Sequence, residues 1–361
     1  MPPPRDAVGL DIGTTAVRAA QVGLGRAAPS LLGFGQVAIP RGLVRDGEIG
    51  DAEQVASAIR QLWKRAHVGR RHVSIGIANQ KVVVRPVELP YMSEEELRGA
   101  IQFQVQEFIP IPVEDAVLDF QVLEDFTGED GARMVRVLLV AAQKEMVNSF
   151  VEVIVRAGLE PEAVDLVPFA LIRSLSDTGG SLPDPNVRGE AIVDIGAGLT
   201  NIVVHEGGIP RFVRILLVGG NAMTETLAAG LGIPFDDAEK VKQQTGLSGG
   251  EEGWNTQDPA ARIIEQRATD LVDEIRGSLD FYLAQPEATQ IARVVLSGGG
   301  SRLVNLGRRL STALRLPVEA GRTLRKVKPK PGKLQLSEAQ LLQAEPLMAA
   351  AVGLAMGSAD Q

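Results

Sequence analysis

The chain has 361 residues, 45% of them hydrophobic, enough for more than one folded domain with well-filled cores. Its formal net charge of −8 gives no overall positive field for nucleic acid, so any basic patch must be local. The lack of cysteine excludes disulfides, thiolate zinc sites and a cysteine nucleophile, and three histidines (His67, His72, His205) leave little for a metal cluster. MPPPRD has no apolar signal-peptide core, and no apolar run approaches the ~18 residues of a spanning helix, so the chain reads as cytoplasmic.

Alternation and β-branching predict strands at Ala7–Ile12, Val17–Val22 and Leu31–Ile39, joined tightly enough for an antiparallel meander. Asp51 is a suitable N-cap for a helix carrying Val55, Ile59, Leu62, Trp63 and Ala66 on one face. Strands return at Val73–Ala78 and Lys81–Leu89. Ser93 and Glu96 then form a capping-box pattern ahead of Leu97, Ile101, Val105 and Phe108, and Pro110 ends that helix. Strands at Val117–Leu123 and Met134–Ala142 flank the turn FTGEDG. A helix from Lys144 to Ala157 and another around Phe169–Leu175 lead into SDTGGSLPDPNVRG, whose Gly, Pro and Asp content suits a domain boundary.

One early pattern returns beyond that boundary. VGLDIGTTAVRAAQV carries Asp11-Ile12-Gly13, and AIVDIGAGLTNIVVH carries Asp194-Ile195-Gly196. The separation is too long for a solenoid, so the chain reads as two related halves, each opening on a strand, a sharp turn and a returning strand. A single DIG is ordinary hairpin chemistry. Its recurrence points further: backbone N–H groups of such turns form an anion-binding concavity, with Thr14, Thr15, Thr200 and Asn201 as added donors. Carboxylates repel phosphate, so Asp11 and Asp194 make sense as holders of a divalent cation, through its waters, that bridges phosphate oxygens.

A third cluster, RVVLSGGGSRLVNLGRRL, places Gly298-Gly299-Gly300 between an apolar strand and a helix expected to start near Ser301. Close ligand approach and a tight structural turn both explain it. No GxxxxGK[ST] occurs, and no glycine cluster completes GxGxxG with an acid at the right distance, which disfavours P-loop and Rossmann readings.

The two DIG turns and the GGGS turn, in this order, resemble the phosphate 1, phosphate 2 and adenosine motifs of the actin, Hsp70 and sugar-kinase superfamily. Three segments, VRILLVGGNAMTETLAAGLGIPFDDAEKVKQQTG, EFIPIPVEDAVLDF and AGLEPEAVDLVPFALIRSL, are similar to the PilM family of type IV pilus assembly proteins, related to the cell-division protein FtsA. The resemblance runs from Val8 to about Gly357. It implies an α/β, actin-like ATPase fold: two RNase H-like halves around a cleft for ATP and Mg²⁺, with an FtsA-type 1C insertion. The implied division is 1–73 and 146–185 for subdomain 1A, 74–145 for 1C, 186–220 and 290–361 for 2A, and 221–289 for 2B.

The same resemblance extends the nucleotide set to Gly13, Arg18, Gly196, Gly198, Gly219, Gly220, Ser301 and Arg302 around the turns. Arg18 stands where relatives carry lysine, a fork in place of a point charge. Glu239 and Lys242, three apart on one helix face, match positions that contact the ribose and adenine side; a solvated charged face explains the spacing equally well. Asn221 is set aside as a helix cap. Partners implied are the cytoplasmic N-terminal peptide of a PilN-like inner-membrane protein, docked between 1A and 1C, and other pilus platform or motor proteins. Membrane association would be indirect, at the inner face.

The chain departs from the pattern at Val167, where related ATPases place a Glu or Gln that positions water. Valine cannot hydrogen-bond, so hydrolysis is expected to be slow or absent, with Asp194 left as a partial base. Arg322–Lys333 is basic without an acid and reads as a solvated loop or as a segment drawn to anionic lipid. SGGEEGWNTQD reads as a polar loop around Trp254, and AMGSADQ lacks the terminal membrane helix of FtsA. Two other functions compete with a nucleotide-regulated scaffold: a small-molecule kinase of the same superfamily, with Asp194 as base, and an Hsp70-like chaperone, weakened by the lack of room for a peptide-binding domain. Only the kinase predicts a phosphorylated metabolite.

Overall fold

Val8 and Leu10 are fully buried on the first strand, β1 (Arg5–Ile12), and deliver Asp11 to its C-terminal end. The computed structural model describes residues 5–25, 28–66, 68–176, 189–248, 257–330, 332–334 and 336–357. The 176–189 boundary segment, the loop around Trp254, the chain's first four residues and its last four fall wholly or mostly outside them.

Strands β1, β2 (Ala16–Leu24) and β3 (Ser30–Ala38) form the expected antiparallel meander. A small ribbon of β4 (Val44–Arg45) and β5 (Glu48–Ile49) follows. Helix α1 (Ala52–Ala66) begins where the Asp51 carboxylate accepts the Gln54 N–H at 2.9 Å, and it buries Val55, Ile59 and Leu62. Strand β6 (His72–Ile77) lies parallel to β1.

The chain then builds a separate antiparallel sheet, in the order β7-β9-β8, from β7 (Val83–Pro90), β8 (Ala116–Thr127) and β9 (Arg133–Gln143). Helix α2 (Glu94–Gln104) carries the Ser93/Glu96 capping box and packs Leu97 and Ile101 with Val137 and Leu139. The insertion thus starts after β6, not at 74, because Ser74 and Ile75 pair with β1. Helix α3 (Lys144–Arg156) returns to the first sheet, followed by β10 (Glu160–Leu166), parallel to β6, and α4 (Val167–Leu175). Strand β10 was not anticipated. It is the sheet's edge and only Leu166 is fully buried, so its sequence lacks the usual apolar alternation.

The second half repeats the plan. Strands β11 (Gly189–Ile195), β12 (Thr200–Glu206) and β13 (Ile209–Leu216) form a meander, and β14 (Ile291–Ser297) runs parallel to β11 as β6 runs parallel to β1. Helices α5 (Gly220–Leu231), α6 (Phe235–Thr245) and α7 (Pro259–Leu283) lie between β13 and β14. After β14 come α8 (Leu306–Leu314) and β15 (Val318–Ala320), the latter pairing with β14. Gly299–Arg302 is a short 3-10 turn, so the helix expected near Ser301 begins later, at Leu306.

The chain then leaves this half. A one-turn helix α9 (Thr323–Lys326) buries Thr323, and β16 (Lys328–Pro329) pairs with β3 of the first sheet. The basic segment is therefore a structural crossover between halves. Helix α10 (Glu338–Gly357) packs on β1, β2 and α4, where a Cβ on Gly353 would lie 1.8 Å from the Ala170 carbonyl oxygen. Assigning 290–361 to 2A is thus corrected for its C-terminal part. From Met348 to Ala355 the helix is apolar on all sides and buried between sheet and helix, a pattern that names no destination in sequence; its first turns, with Glu338, Gln340 and Gln343, are exposed.

Candidate functional site

Each hairpin brings its acid opposite a polar partner. In the first, Asp11 faces Arg18 across β1 and β2, and Arg18 donates to it at 3.3 Å. In the second, Asp194 faces Asn201 across β11 and β12, and the Asn201 amide donates at 3.5 Å. Gly13 N–H to Ala16 O (3.0 Å) and Gly196 N–H to Leu199 O (2.8 Å) close the two turns in the same way.

Both acids face one cavity of about 630 Å³ between the halves. Burial pushes the Asp11 carboxyl above its ordinary value, against the opposing charge and hydrogen bond of Arg18. Asp194 is pushed up to about 6, first by burial and then by the negative charge of Asp11, with Asn201 and Ser297 hydrogen bonds pulling it back. Two carboxylates that feel one another across a cavity could together hold a cation. Among the described residues no group of three or more acids or histidines could enclose a bare ion, so a cation that keeps its waters suits the pair.

Two buried polar atoms at these positions lack a protein partner: the Arg18 Nε and the Asn201 Oδ1. Groups so placed normally find a partner, and both residues line the cavity. Thr14 and Thr15 line it beside Gly13, and Gly196 lies opposite. Gly198 and Thr200 do not. Gly198 packs beneath Thr14, where an added Cβ would lie 2.7 Å from the hydroxyl. Thr200, expected as a phosphate donor, is fully buried and spends its hydroxyl on the Val218 carbonyl at 2.7 Å.

The glycine clusters sort likewise. Gly298, Gly299 and Gly300 line the cavity; Gly298 has φ +84°, and a Cβ there would fall 2.3 Å from the Ile195 carbonyl oxygen, so only glycine lets this turn lie against the second hairpin. Ser301 closes the turn by donating to Gly298 O at 2.6 Å, while Arg302 reaches the cavity wall. Gly219 backs the second hairpin and Gly220 faces the cavity. Asn221, set aside as a cap, lies in the first turn of α5 after Gly219 and also lines the cavity, its N–H bonded to Ala197 O at 2.8 Å.

Glu239 and Lys242 form a fixed cluster and not a solvated face. The Lys242 ammonium is buried and reaches Glu239 (2.7 Å), Gly220 O (3.0 Å) and the Thr224 hydroxyl (2.9 Å). Thr224 in turn donates to Glu239 at 2.6 Å. Burial would raise the Glu239 carboxyl, but bonds from Lys242, Thr224 and Gln243 outweigh it and hold it below its ordinary value. Sequence reasoning missed Thr224; its spacing from Gly220, one helical turn, was the available signal. Phe235, Met223 and Leu303 supply apolar wall on this side. On the other, Val167 begins α4, is 6% exposed, and presents only methyl groups.

A cleft between two hairpin-led halves, floored by one acid from each, defines the actin-like ATPase fold. The chain belongs to the PilM family of type IV pilus assembly proteins: residues 9–359 match the family described as "Type IV pilus assembly protein PilM". Its structure is similar to that of the "PilM-PilN type IV pilus biogenesis complex", with 29% identity, a TM-score of 0.82, and coverage of 98% of this chain and 99% of that one. FtsA of Escherichia coli (strain K12) is 26% identical over 345 residues, 83% of this chain and 80% of the relative. MreB5 of Spiroplasma citri, solved bound to ADP, shares the fold at 14% identity and a TM-score of 0.53, covering 99% and 97% of the two chains. No helix among the described residues is long and apolar enough to cross a membrane.

Proposed function

We propose that this chain is an ATP-binding scaffold of the inner-membrane platform of a type IV pilus or related secretion system. The carrying observation is the shared cavity in which Asp11 and Asp194, each paired across its own hairpin, face one another. Mg²⁺ held through water by these acids would offset the phosphate charge. Arg18, Thr14, Thr15 and the hairpin amides would hold the phosphates; Glu239, Lys242 and the Gly298–Gly300 turn would hold the nucleoside. The methyl wall at Val167 leaves no side chain there to orient water, which favours a long-lived bound nucleotide.

The partner reading rests on similarity to a PilM-PilN complex over nearly the whole chain. The cytoplasmic N-terminal peptide of a PilN-like protein would dock between the first sheet and the insertion carrying β7, β8 and β9, and bring the chain to the inner face of the membrane. Melting nucleotide-free protein with and without Mg-ATP tests the cleft. At ~100 times the Kd the gain should be about 2.7 kcal/mol. An unchanged melting temperature at millimolar ATP removes the assignment. Titrating a PilN-like peptide against wild-type protein tests the partner separately.

A further inference from the structure

The first sheet ends in a strand that is only partly covered. Strand β16 pairs with β3 at Ser30 and Leu31 alone, and among the described residues no strand pairs with β3 beyond that point on this side. The backbone pattern identifies the unused groups. Ile39 N–H bonds to Thr15 O at 3.0 Å, so alternation turns residues 33, 35 and 37 toward β2. The N–H and C=O groups of Phe34, Gln36 and Ala38 therefore point outward, in line with the Leu31 carbonyl that already accepts from Lys330 at 3.0 Å. The Gln36 side chain is exposed.

A groove of about 780 Å³ runs along this edge, bounded by the end of α1, the segment before α10, and α10 itself. Its charges are one-sided. Arg65, Lys333 and Arg302 line it, are exposed, and have no carboxylate partner among the described residues. Its single acid, Asp6, is already engaged by Gln21 and lies 3.8 Å from Arg70. In a chain of net charge −8, a cationic groove beside free backbone donors and acceptors is a local feature whose charge and shape suit an anionic, extended ligand.

We propose that the open edge of β3 docks an extended acidic peptide of a partner protein, which adds a strand in line with β16. Backbone bonds to residues 34, 36 and 38 would supply the pairing, and Arg65 and Lys333 the preference for carboxylates. The groove lies at the opposite edge of the sheet from β10; it shares Arg302 and Leu347 with the wall of the cleft, but the edge residues 34, 36 and 38 and the cations Arg65 and Lys333 lie outside that cleft.

A random decapeptide library displayed on phage, selected on the full chain and counter-selected on the Arg65→Glu/Lys333→Glu variant, tests it. Both substituted residues are exposed, so the variant should melt as wild type does and keep its response to Mg-ATP. Acidic, proline-poor sequences are expected, losing at least tenfold in affinity on the double variant. The selected peptide should slow hydrogen exchange at the amides of Phe34, Gln36 and Ala38, and its N-methylation at alternate residues should abolish binding. Failure to enrich acidic sequences, equal binding to the variant, or undiminished binding of the N-methylated peptide overturns the proposal. So does concentration-dependent protection of the same amides without peptide, which would give the edge to a second copy of the chain.

Discussion

Arg136 on β9 and Glu287, in the turn between α7 and β14, meet at 3.0 Å and tie the inserted sheet to the second half of the molecule. Arg136 also holds Glu88 at 2.6 Å and Glu124, its cross-strand neighbours, and its cation lies 5.1 Å from the Phe126 ring centroid. The insertion is covalently part of the first half, so this pair and the approach of β7 to β13 make it touch both. Rotation of one half about the cleft must strain that contact.

Glu287→Lys should therefore uncouple partner from nucleotide while sparing the fold. The Glu287 side chain is 64% exposed, and exposed pairs are worth about 0.2–1 kcal/mol, so the melting point should fall by no more than about 2–4 °C. A ligand shifts an equilibrium only through different affinities for its states, and coupling is reciprocal. The ratio of peptide affinities at saturating and zero ATP should move toward one in the variant. A ratio equal to wild type would exclude this contact as the link.

Asp194→Asn should stabilise the nucleotide-free protein while removing its response to Mg²⁺. The folded pKa of Asp194, about 6, lies above the ordinary 3.8, so its stabilising contribution is complete below pH 3.8 and lost as pH rises through 6. At pH 7.5 the charged acid faces Asp11 and costs on the order of 2–3 kcal/mol. Asparagine carries no charge, so the gain should appear at pH 7.5 and fade near pH 4. Melts across that range, with and without Mg-ATP, check both parts. A variant less stable than wild type at pH 7.5 would contradict the charge argument.

Arg41→Ala should loosen the cleft. Arg41, in the turn after β3, reaches across to the second half, where it pairs with Glu225 on α5 at 2.8 Å and lies 3.7 Å from the centroid of Phe235, a cleft-lining ring. Exposed cation–π contacts contribute about 0.5–1 kcal/mol and exposed ion pairs a similar amount. Losing both, about 1–2 kcal/mol, should raise the release rate of a fluorescent ATP analogue by roughly 5- to 30-fold, because each 1.4 kcal/mol is tenfold. Stopped-flow displacement measures this; an unchanged rate would mean that the bridge does not gate release.

The two hairpins that floor this cleft were legible in the chain because one arrangement, ordinary by itself, occurs twice. An acid and a glycine at the end of an apolar strand, repeated as Asp11-Ile12-Gly13 and Asp194-Ile195-Gly196, announce two matching hairpins. What escaped was set by tertiary context. Thr200 has the residue type of a phosphate donor, yet its hydroxyl is consumed by Val218 O in the sheet. Thr224 carries no motif but completes the Glu239–Lys242 cluster from a neighbouring helix. The crossover of α10 to the first sheet was illegible because its buried stretch, Met348–Ala355, is apolar all round and has no preferred face.

Val167 bears on what a bound nucleotide would do. It opens α4 at the cavity wall, and its Cγ2 lies 2.9 Å from where a Cβ on Gly76 would stand, so the wall is tightly packed. Phosphoryl transfer to water depends on positioning and electrostatic stabilisation, and removing one positioning group from a preorganised site commonly costs about 10²–10³ in rate. The wild-type chain should therefore hydrolyse ATP near background in a single-turnover assay. Val167→Gln, which restores a donor and an acceptor at the cavity wall, should raise the rate by roughly 10-fold or more if water positioning is the missing part. It should also lower stability by about 1–3 kcal/mol, since the amide replaces a buried apolar group. The two readouts separate the explanations. A faster, less stable variant supports positioning; brisk turnover by wild type would show that another group orients water. A variant that binds Mg-ATP with wild-type affinity but stays at background would place the limit elsewhere in the cleft.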